Sequence, residues 1–248
     1  MSFHSSSSTR KDESMHNVQS DERINISVLG LLERPVIQWL AARIPARVSP
    51  DHLTALGLLG SLTVGAAYVL SNLSPGYLWL ASIGYVIHWF GDALDGALAR
   101  FRSIERPAYG LFIDHSADAL SATLTFLGLG LSPYVRFDVG CLVLVTFLLM
   151  EFMITLQYSV NGIFKLSYGP IGPTETRAIA IVVNTIAYFL GVNYFHWFGF
   201  SFTIFDLFCL ALTGAGYTVF VSVVFVQARQ LARREQNSGK ALFDILHK

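Results

Sequence analysis

Six long apolar stretches dominate the hydrophobic pattern of the chain. They run over residues 52–71, 77–101, 108–131, 137–161, 177–197 and 202–228. Each is on the order of 20 residues long, which is the length that an α-helix needs to cross the hydrocarbon core of a bilayer. The pattern therefore predicts an all-α integral membrane protein with six transmembrane helices.

The segment ahead of the first stretch has a different pattern. Between residues 24 and 47, apolar positions such as Ile26, Leu29 and Val36 recur at roughly helical spacing, with charged and amide side chains between them. This pattern is typical of an amphipathic helix that lies at a membrane interface. We expect four parts: a disordered cytoplasmic tail, the interfacial helix, the six-helix domain and a cytoplasmic C-terminal tail, at residues 1–23, 24–47, 48–235 and 236–248.

The distribution of lysine and arginine indicates how the helices are oriented. Nearly all of these residues fall in the N-terminal segment, the connections 101–107 and 162–176, and the C-terminal tail. The alternate connections contain only Arg136. Because cytoplasmic loops are enriched in basic residues, the sequence predicts that both termini face the cytoplasm.

Overall composition agrees with a membrane protein and excludes several other classes. Hydrophobic residues make up 53% of the chain and charged residues only 14%, which is unusual for a soluble domain. The 17 basic and 17 acidic residues balance, so there is no overall basic field for nucleic acid. Cys141 and Cys209 both lie in apolar stretches, where two thiols offer no metal-ligand spacing.

Four aspartates interrupt the second and third apolar stretches. Asp92 and Asp95 are three residues apart, and Asp114 and Asp118 four apart, so each pair shares one helix face. The short connection 102–107 makes the two helices antiparallel neighbours, and we expect all four carboxylates to converge. An unpaired charge inside a bilayer costs roughly 2.5–3.5 kcal/mol, so a cation must neutralise them. Oxygen ligands without thiol or imidazole favour Mg²⁺ or Mn²⁺.

Two glycines and an arginine accompany the aspartates. Gly110 precedes Asp114 by four residues on the carboxylate face, where the missing side chain lets a backbone or a ligand approach. Gly96 serves the same purpose on the preceding helix. Arg100 lies eight residues after Asp92, two turns along the same helix, in a position to meet a phosphate. The arrangement indicates a pyrophosphate held between metal and arginine.

These residues resemble the complete signature of the CDP-alcohol phosphotransferases, which reads Asp92-x-x-Asp95-Gly96-x-x-Ala99-Arg100, nine residues, Gly110-x-x-x-Asp114-x-x-x-Asp118. The segment SPDHLTALG at 49–57 also resembles the usual start of the family's first helix, with Asp51 where asparagine is more common. The resemblance implies a six-helix membrane bundle, often a homodimer, whose first three helices enclose the metal and CDP.

The resemblance also implies a role for each residue of the signature. Asp92, Asp95 and Asp114 would bind one or two metal ions, and Asp118 would be a further ligand or the general base. The cytidine diphosphate pocket would be lined by Asp92, Gly96, Ala99, Arg100 and Gly110. The acceptor hydroxyl would attack the β-phosphorus of a CDP-linked donor, and CMP would leave.

Two further features bear on which branch of the family the chain resembles. Asp114-His115-Ser116-Ala117-Asp118 is similar to the form found in choline and ethanolamine phosphotransferases, in which this histidine is the favoured base. The Thr-Glu pair at 174–175 resembles the corresponding region of the same enzymes. Both favour transfer of a phospho-aminoalcohol from CDP-choline or CDP-ethanolamine to a diacylglycerol-like lipid alcohol. The alternative is phosphatidyl transfer from CDP-diacylglycerol to a small polyol, a polyol phosphate or serine. A more distant alternative is that the chain is an ion-coupled transporter.

Several other polar residues allow two interpretations. Glu175 and Arg177 follow a proline and form a helix-start signal, but they also have the spacing to face the site. Glu151, in the middle of the fourth stretch, requires a partner, either an interior polar group or an amine of the substrate. His88 lies one turn before Asp92, where we expect it to hydrogen-bond a metal ligand rather than to act in catalysis.

Overall fold

The computed structural model of the chain describes residues 28–161, 172–197 and 199–246. The predicted tail at 1–23, most of the 162–176 connection and the last two residues lie outside these ranges. Its elements, in chain order, are α1 (Val28–Ala41), α2 (Pro50–Leu70), α3 (Tyr77–Phe101), α4 (Pro107–Gly130), α5 (Phe137–Asn161), α6 (Pro173–Leu190), β1 (Tyr194–Trp197), β2 (Phe200–Thr203) and α7 (Ile204–Leu246).

The six long helices α2 to α7 overlap the six apolar stretches, one helix to each stretch. Among the described residues, three segments are long and apolar enough to cross a membrane, namely Pro50–Leu70, Phe137–Gln157 and Ile204–Arg234. In α3, α4 and α6 the apolar pattern is interrupted by polar and charged residues, including those of the candidate site. The arrangement of six spans therefore remains a prediction for these three helices.

Proline and capping residues define where the helices of the site begin. Pro50 occupies the first position of α2, where its missing N–H would have no partner in the helix. The Ser49 hydroxyl accepts a hydrogen bond from the His52 backbone N–H, and the Ser49 N–H donates to the His52 ring at 3.1 Å. This reciprocal cap fixes the start of α2. Like Pro50 in α2, Pro107 and Pro173 occupy the first positions of α4 and α6.

Glycines bring α2, α3 and α4 into backbone contact. A methyl group at Gly60 would overlap the His88 backbone, and one at Gly91 would overlap the Gly57 backbone. A methyl at Gly128 would meet the Gly65 Cα at 2.5 Å. Small residues allow helices in a membrane to pack this closely. α2 therefore packs closely against both α3 and α4.

The structure corrects the predicted boundary between the fifth and sixth spans. α6 ends at Leu190, and the strands Tyr194–Trp197 and Phe200–Thr203 pair antiparallel, with Tyr194 opposite Thr203. Gly191 has a φ of 67°, which ends the helix in a conformation that favours glycine. The aromatic run YFHWFGFSFT was interpreted as the ends of two spans, but aromatic residues also favour strands.

The first and last helices also differ in length from the expectation. α1 covers Val28–Ala41, so a helix is present in the predicted segment 24–47, but residues 42–49 form turns before α2. α7 continues to Leu246, through most of the segment 236–248 that was expected to be a tail. The placement of α1 at the interface remains a prediction.

Candidate active site

The four aspartates converge on one small polar cavity between α2, α3 and α4. It is lined by Thr54, Gly57, Leu58, His88, Asp92, Asp95, Asp114, Ala117, Asp118 and Ser121. Because α2 packs against both α3 and α4, the Asp92 and Asp95 pair of α3 and the Asp114 and Asp118 pair of α4 line the same cavity. The arrangement has the geometry that the helix-face argument predicts, whereas the individual roles remain predictions.

Part of this cavity has the donor atoms of a metal site. His88, Asp92 and Asp118 each offer a ligand atom, and these atoms lie within 4.8 Å of one another. With Asp95 and Asp114 also lining the cavity, the donor set is rich in carboxylate oxygen and fits a divalent cation. The sequence argument expected no imidazole among the metal ligands and expected His88 to hydrogen-bond a ligand, whereas the structure groups a ring nitrogen of His88 with the ligand atoms themselves.

Asp95 is held by a residue of α2. The Thr54 hydroxyl donates a hydrogen bond to Asp95 Oδ2 at 2.7 Å, and the Gly96 backbone N–H donates to Oδ1. Each oxygen of the carboxylate therefore has a fixed neighbour, which orients a ligand before metal arrives. Thr54 lies within the SPDHLTALG segment, but sequence reasoning did not assign it to the site.

Asp92 is paired with an arginine from a distant part of the chain. Arg177 Nη2 lies 2.6 Å from Asp92 Oδ2, and the arginine side chain is only 14% exposed. The same nitrogen lies 2.8 Å from His88 Nε2, and His88 Nδ1 is hydrogen-bonded to the Ser61 hydroxyl. His88 thus contacts Arg177 and Ser61 as well as facing the metal-ligand cluster.

The structure resolves the two interpretations of the start of α6. Glu175 accepts a hydrogen bond from the Gly172 backbone N–H at 2.9 Å, which caps the helix, and another from the Leu29 backbone N–H of α1 at 2.9 Å. Arg177, two residues further on, enters the site instead. The helix-start signal and the site-facing residue are both present in the same turn.

His115 lies beside the cavity rather than among its lining residues. Its Nδ1 is 3.3 Å from Glu151 Oε2 of α5, and the two side chains are 20% and 24% exposed. Glu151 therefore has the interior polar partner that the sequence argument favoured over a substrate amine. His115 remains a predicted base.

The other residues of the signature lie toward the start of the 102–107 connection. The Arg100 guanidinium folds back over Gly96, since a Cβ at that glycine would lie 3.3 Å from Arg100 Nη1. Ala99 is half-buried, and Gly110 is exposed. A Cβ at Gly110 would meet no described protein atom within 4 Å, so the space beside this glycine is open to a ligand.

Ion pairs and carbonyl contacts hold this edge of the site together. The Arg102 guanidinium donates to the carbonyls of Ile44, Pro45 and Val48 in the turn before α2. Arg106 Nη2 lies 3.1 Å from Asp51 Oδ1, so the aspartate that replaces the commoner asparagine has a basic partner. Because both side chains are about half exposed, this pair contributes little stability.

Helix α1 is attached to two of the elements that carry site residues. Glu33 Oε1 accepts a hydrogen bond from the Trp89 indole of α3 at 2.6 Å. Its Oε2 accepts one from the Thr174 hydroxyl of α6 at 2.7 Å. One carboxylate therefore joins α1, α3 and α6 close to Asp92 and Arg177.

Comparison with known proteins places these features in a family. The model of the CDP-alcohol phosphatidyltransferase family matches residues 47–205. Cholinephosphotransferase 1 of Danio rerio is 30% identical over 63% of this chain and 42% of its own length. Archaetidylinositol phosphate synthase of Methanothermobacter thermautotrophicus is 29% identical over 67% of this chain and 82% of its own length. CDP-diacylglycerol–serine O-phosphatidyltransferase of Encephalitozoon cuniculi is 31% identical over 50% of this chain and 32% of its own length.

The chain thus spans less than half the length of the cholinephosphotransferase that it matches. The family match, in contrast, runs from the turn before α2 to the first residues of α7. It includes the four aspartates, the glycines and Arg100 of the signature. Because this match covers more than half of the 248 residues, the chain belongs to the CDP-alcohol phosphatidyltransferase family.

Proposed function

We propose that this protein is a metal-dependent transferase of phospholipid synthesis that moves a phospho-aminoalcohol from CDP-choline or CDP-ethanolamine to a diacylglycerol-like alcohol. The observation that carries the proposal is the convergence of Asp92, Asp95, Asp114 and Asp118 on one cavity among packed apolar helices. Four carboxylates at such a place are unfavourable without cations. A site that binds metal and pyrophosphate explains the four carboxylates, because the bound cations offset their charge.

In this proposal the aspartates hold Mg²⁺ or Mn²⁺, with His88 as a further nitrogen donor at the edge of the cluster. When bound, the cation offsets negative charge on the pyrophosphate and on the departing CMP. Thr54 keeps the Asp95 carboxylate in a fixed orientation. Arg100, which lies over Gly96, contacts the donor from the open edge of the site, beside Gly110.

The acceptor hydroxyl forms a new P–O bond to the β-phosphorus while the bond between that phosphorus and the CMP oxygen breaks. The hydroxyl proton goes to His115. Its contact with Glu151 supports this role, because a carboxylate that accepts from Nδ1–H leaves Nε2 as the basic atom of the ring. Asp118, which lines the cavity itself, is the alternative base.

The second candidate is phosphatidyl transfer from CDP-diacylglycerol to a small polyol, a polyol phosphate or serine. The names of two relatives favour it, since one is an archaetidylinositol phosphate synthase and another a serine phosphatidyltransferase. The aspartate cluster suits both branches. His115 with its Glu151 partner, and the cholinephosphotransferase relative, favour the first. A transporter is distinguished from both by substrate movement without CMP.

The location of the reaction follows from the charge distribution. With basic residues concentrated at the ends of the chain and in two connections, we infer that both termini and the open edge of the site face the cytoplasm. We also infer a homodimer, from the family resemblance. Cysteine labelling of single-cysteine variants at Ser103 and Ser74, which are exposed and lie on opposite connections, tests the orientation.

The decisive experiment measures CMP release by purified protein in lipid nanodiscs. One arm supplies CDP-choline or CDP-ethanolamine with diacylglycerol, and the other CDP-diacylglycerol with inositol phosphate, glycerol phosphate or serine. We expect CMP in the first arm, with Mg²⁺ or Mn²⁺ required. CMP in the second arm alone would overturn the branch, and full activity after exhaustive chelation would overturn the metal site.

A further inference from the structure

Arg177 forms an ion pair with Asp92, a carboxylate that belongs to the candidate metal cluster. Its Nη2 is 2.6 Å from Asp92 Oδ2, and Asp92 is one of the three residues whose ligand atoms group within 4.8 Å. The same guanidinium nitrogen is 2.8 Å from His88 Nε2, a second member of that group. An arginine therefore contacts two of the three ligand residues.

The position of Arg177 is set by contacts elsewhere on α6. Thr174 donates to Glu33 of α1, and Glu175 caps the helix while accepting from the Leu29 backbone. These bonds fix the first turn of α6 next to α3. The long Arg177 side chain then spans from a fixed backbone to Asp92, so its guanidinium can change partner without movement of the helix.

Electrostatics opposes this contact once a metal binds the same carboxylate. Arginine stays protonated under all physiological conditions, and a divalent cation bound to Asp92 and His88 would be a like charge within a few ångströms. In addition, His88 Nε2 cannot accept a hydrogen bond from Arg177 and donate its lone pair to a metal at once.

We propose that Arg177 is a built-in counter-ion of the metal site that a divalent cation displaces from Asp92, after which its guanidinium binds a phosphate of the CDP-linked donor. The displaced guanidinium lies beside the metal and has the fork of donors that suits a phosphate oxygen. The guanidinium thus balances part of the carboxylate charge before the divalent cation binds, and part of the pyrophosphate charge afterwards. The inference rests on the proposed metal site but not on either branch of the reaction.

Two binding measurements on the full-length protein in nanodiscs test the exchange. The first is the affinity for Mn²⁺ alone, followed by the loss of the free-ion paramagnetic resonance signal. The second is the affinity for CDP, the part that both donor classes share, at saturating Mn²⁺. The variants are Arg177→Met, Arg177→Lys, and Arg233→Met as a control that removes an exposed arginine of α7.

We expect Arg177→Met to bind Mn²⁺ on the order of tenfold more tightly than the natural protein, because a competing charge is gone. The same variant should bind CDP at least about tenfold more weakly. Arg177→Lys, which keeps the charge on a similar stem, should retain the natural Mn²⁺ affinity within about threefold. Arg233→Met should change neither value.

The outcomes separate this inference from the proposed function. Unchanged or weaker Mn²⁺ binding by Arg177→Met, while the natural protein binds Mn²⁺, would overturn the exchange and leave the metal site standing. Tighter Mn²⁺ binding with unaltered CDP affinity would overturn the phosphate contact. Absence of Mn²⁺ binding by the natural protein would instead refute the proposed metal site.

Discussion

Asp92 and Asp206 are both carboxylates in apolar helices, but their surroundings differ in kind. Asp206 is fully buried, and it accepts hydrogen bonds from the Arg136 and Thr203 backbone N–H groups at 2.8 Å each and from the Thr203 hydroxyl at 3.2 Å. Asp92 keeps 27% of its side chain exposed and has a cation as its partner. A structural carboxylate is satisfied by neutral groups of the fold, whereas Asp92 and its neighbours still require cations.

The largest effect expected from this difference is on turnover. Asp92→Asn, Asp95→Asn and Asp114→Asn should each lower CMP release by about a thousandfold or more, because each removes a metal ligand. Each variant should remain inserted and folded, because a buried charge that is costly in the bilayer is removed. Asp92→Asn should nevertheless lower the thermal unfolding temperature, because it leaves the buried Arg177 guanidinium without its ion pair. A near-natural rate in any one of the three would show that the metal ligands are wrongly assigned.

Asp206→Asn should lower the stability of the protein but leave its turnover nearly unchanged. An amide replaces one acceptor oxygen by a donor that faces backbone N–H groups, so we expect a loss of about 2 kcal/mol in unfolding free energy. Turnover per folded molecule should stay within about twofold, because Asp206 does not line the cavity. Denaturant unfolding and CMP release are measured on the same preparation. An inactive but stable Asp206→Asn protein would contradict the comparison.

Thr54→Val tests whether the orientation of a ligand matters once the ligand is present. Removing the hydroxyl that bonds Asp95 should lower metal affinity or turnover by roughly 10- to 100-fold. Thr63→Val is the matched control on the same helix, because the Thr63 hydroxyl bonds only the Leu59 carbonyl in its own helix. Equal effects of the two substitutions would mean that α2 tolerates neither change for reasons unrelated to Asp95.

The smallest effect concerns the donor rather than the metal. In Gly96→Ala the new methyl would sit 3.3 Å from Arg100 Nη1, and since the arginine end is flexible we expect only a several-fold rise in KM for the donor. Gly214→Ala, an exposed glycine of α7 with open space around it, is the control. A KM equal to that of the natural protein would place Arg100 away from the donor.

The parts of the site that are local in sequence could be predicted. Spacing within α3 and α4 places each pair of carboxylates on one helix face, and the short connection predicts that the two faces lie close. The convergence itself also depends on α2, which packs against both helices and lines the same cavity. Arg177 contacts Asp92 across 85 residues, and that contact depends on how α6 packs. In the sequence, Arg177 follows a helix-start signal. That signal alone explains the polar residues at the start of α6, so nothing in the sequence requires Arg177 to face the site.

Thr54 and the hairpin show two other limits of sequence reasoning. A threonine in an apolar helix commonly bonds its own backbone, and Thr54 also lies 3.3 Å from the Pro50 carbonyl; its bond to Asp95 depends on the close approach of α2 and α3. The segment 194–203 is apolar enough to extend a span, and its composition does not reveal that α6 ends before Gly191, which has a positive φ. Hydrophobicity therefore located the helices but not this boundary.

The two hydrogen bonds of Glu33 have a mechanical consequence. Trp89 and Thr174 hold opposite oxygens of one carboxylate, so a widening of the gap between α3 and α6 must break one bond or pull α1 along. α1 exposes 70% of Leu32 and 55% of Trp39. If α1 lies at the interface, as predicted, such movement would displace lipid headgroups, and the lateral pressure of the surrounding leaflet would oppose the separation of α3 from α6.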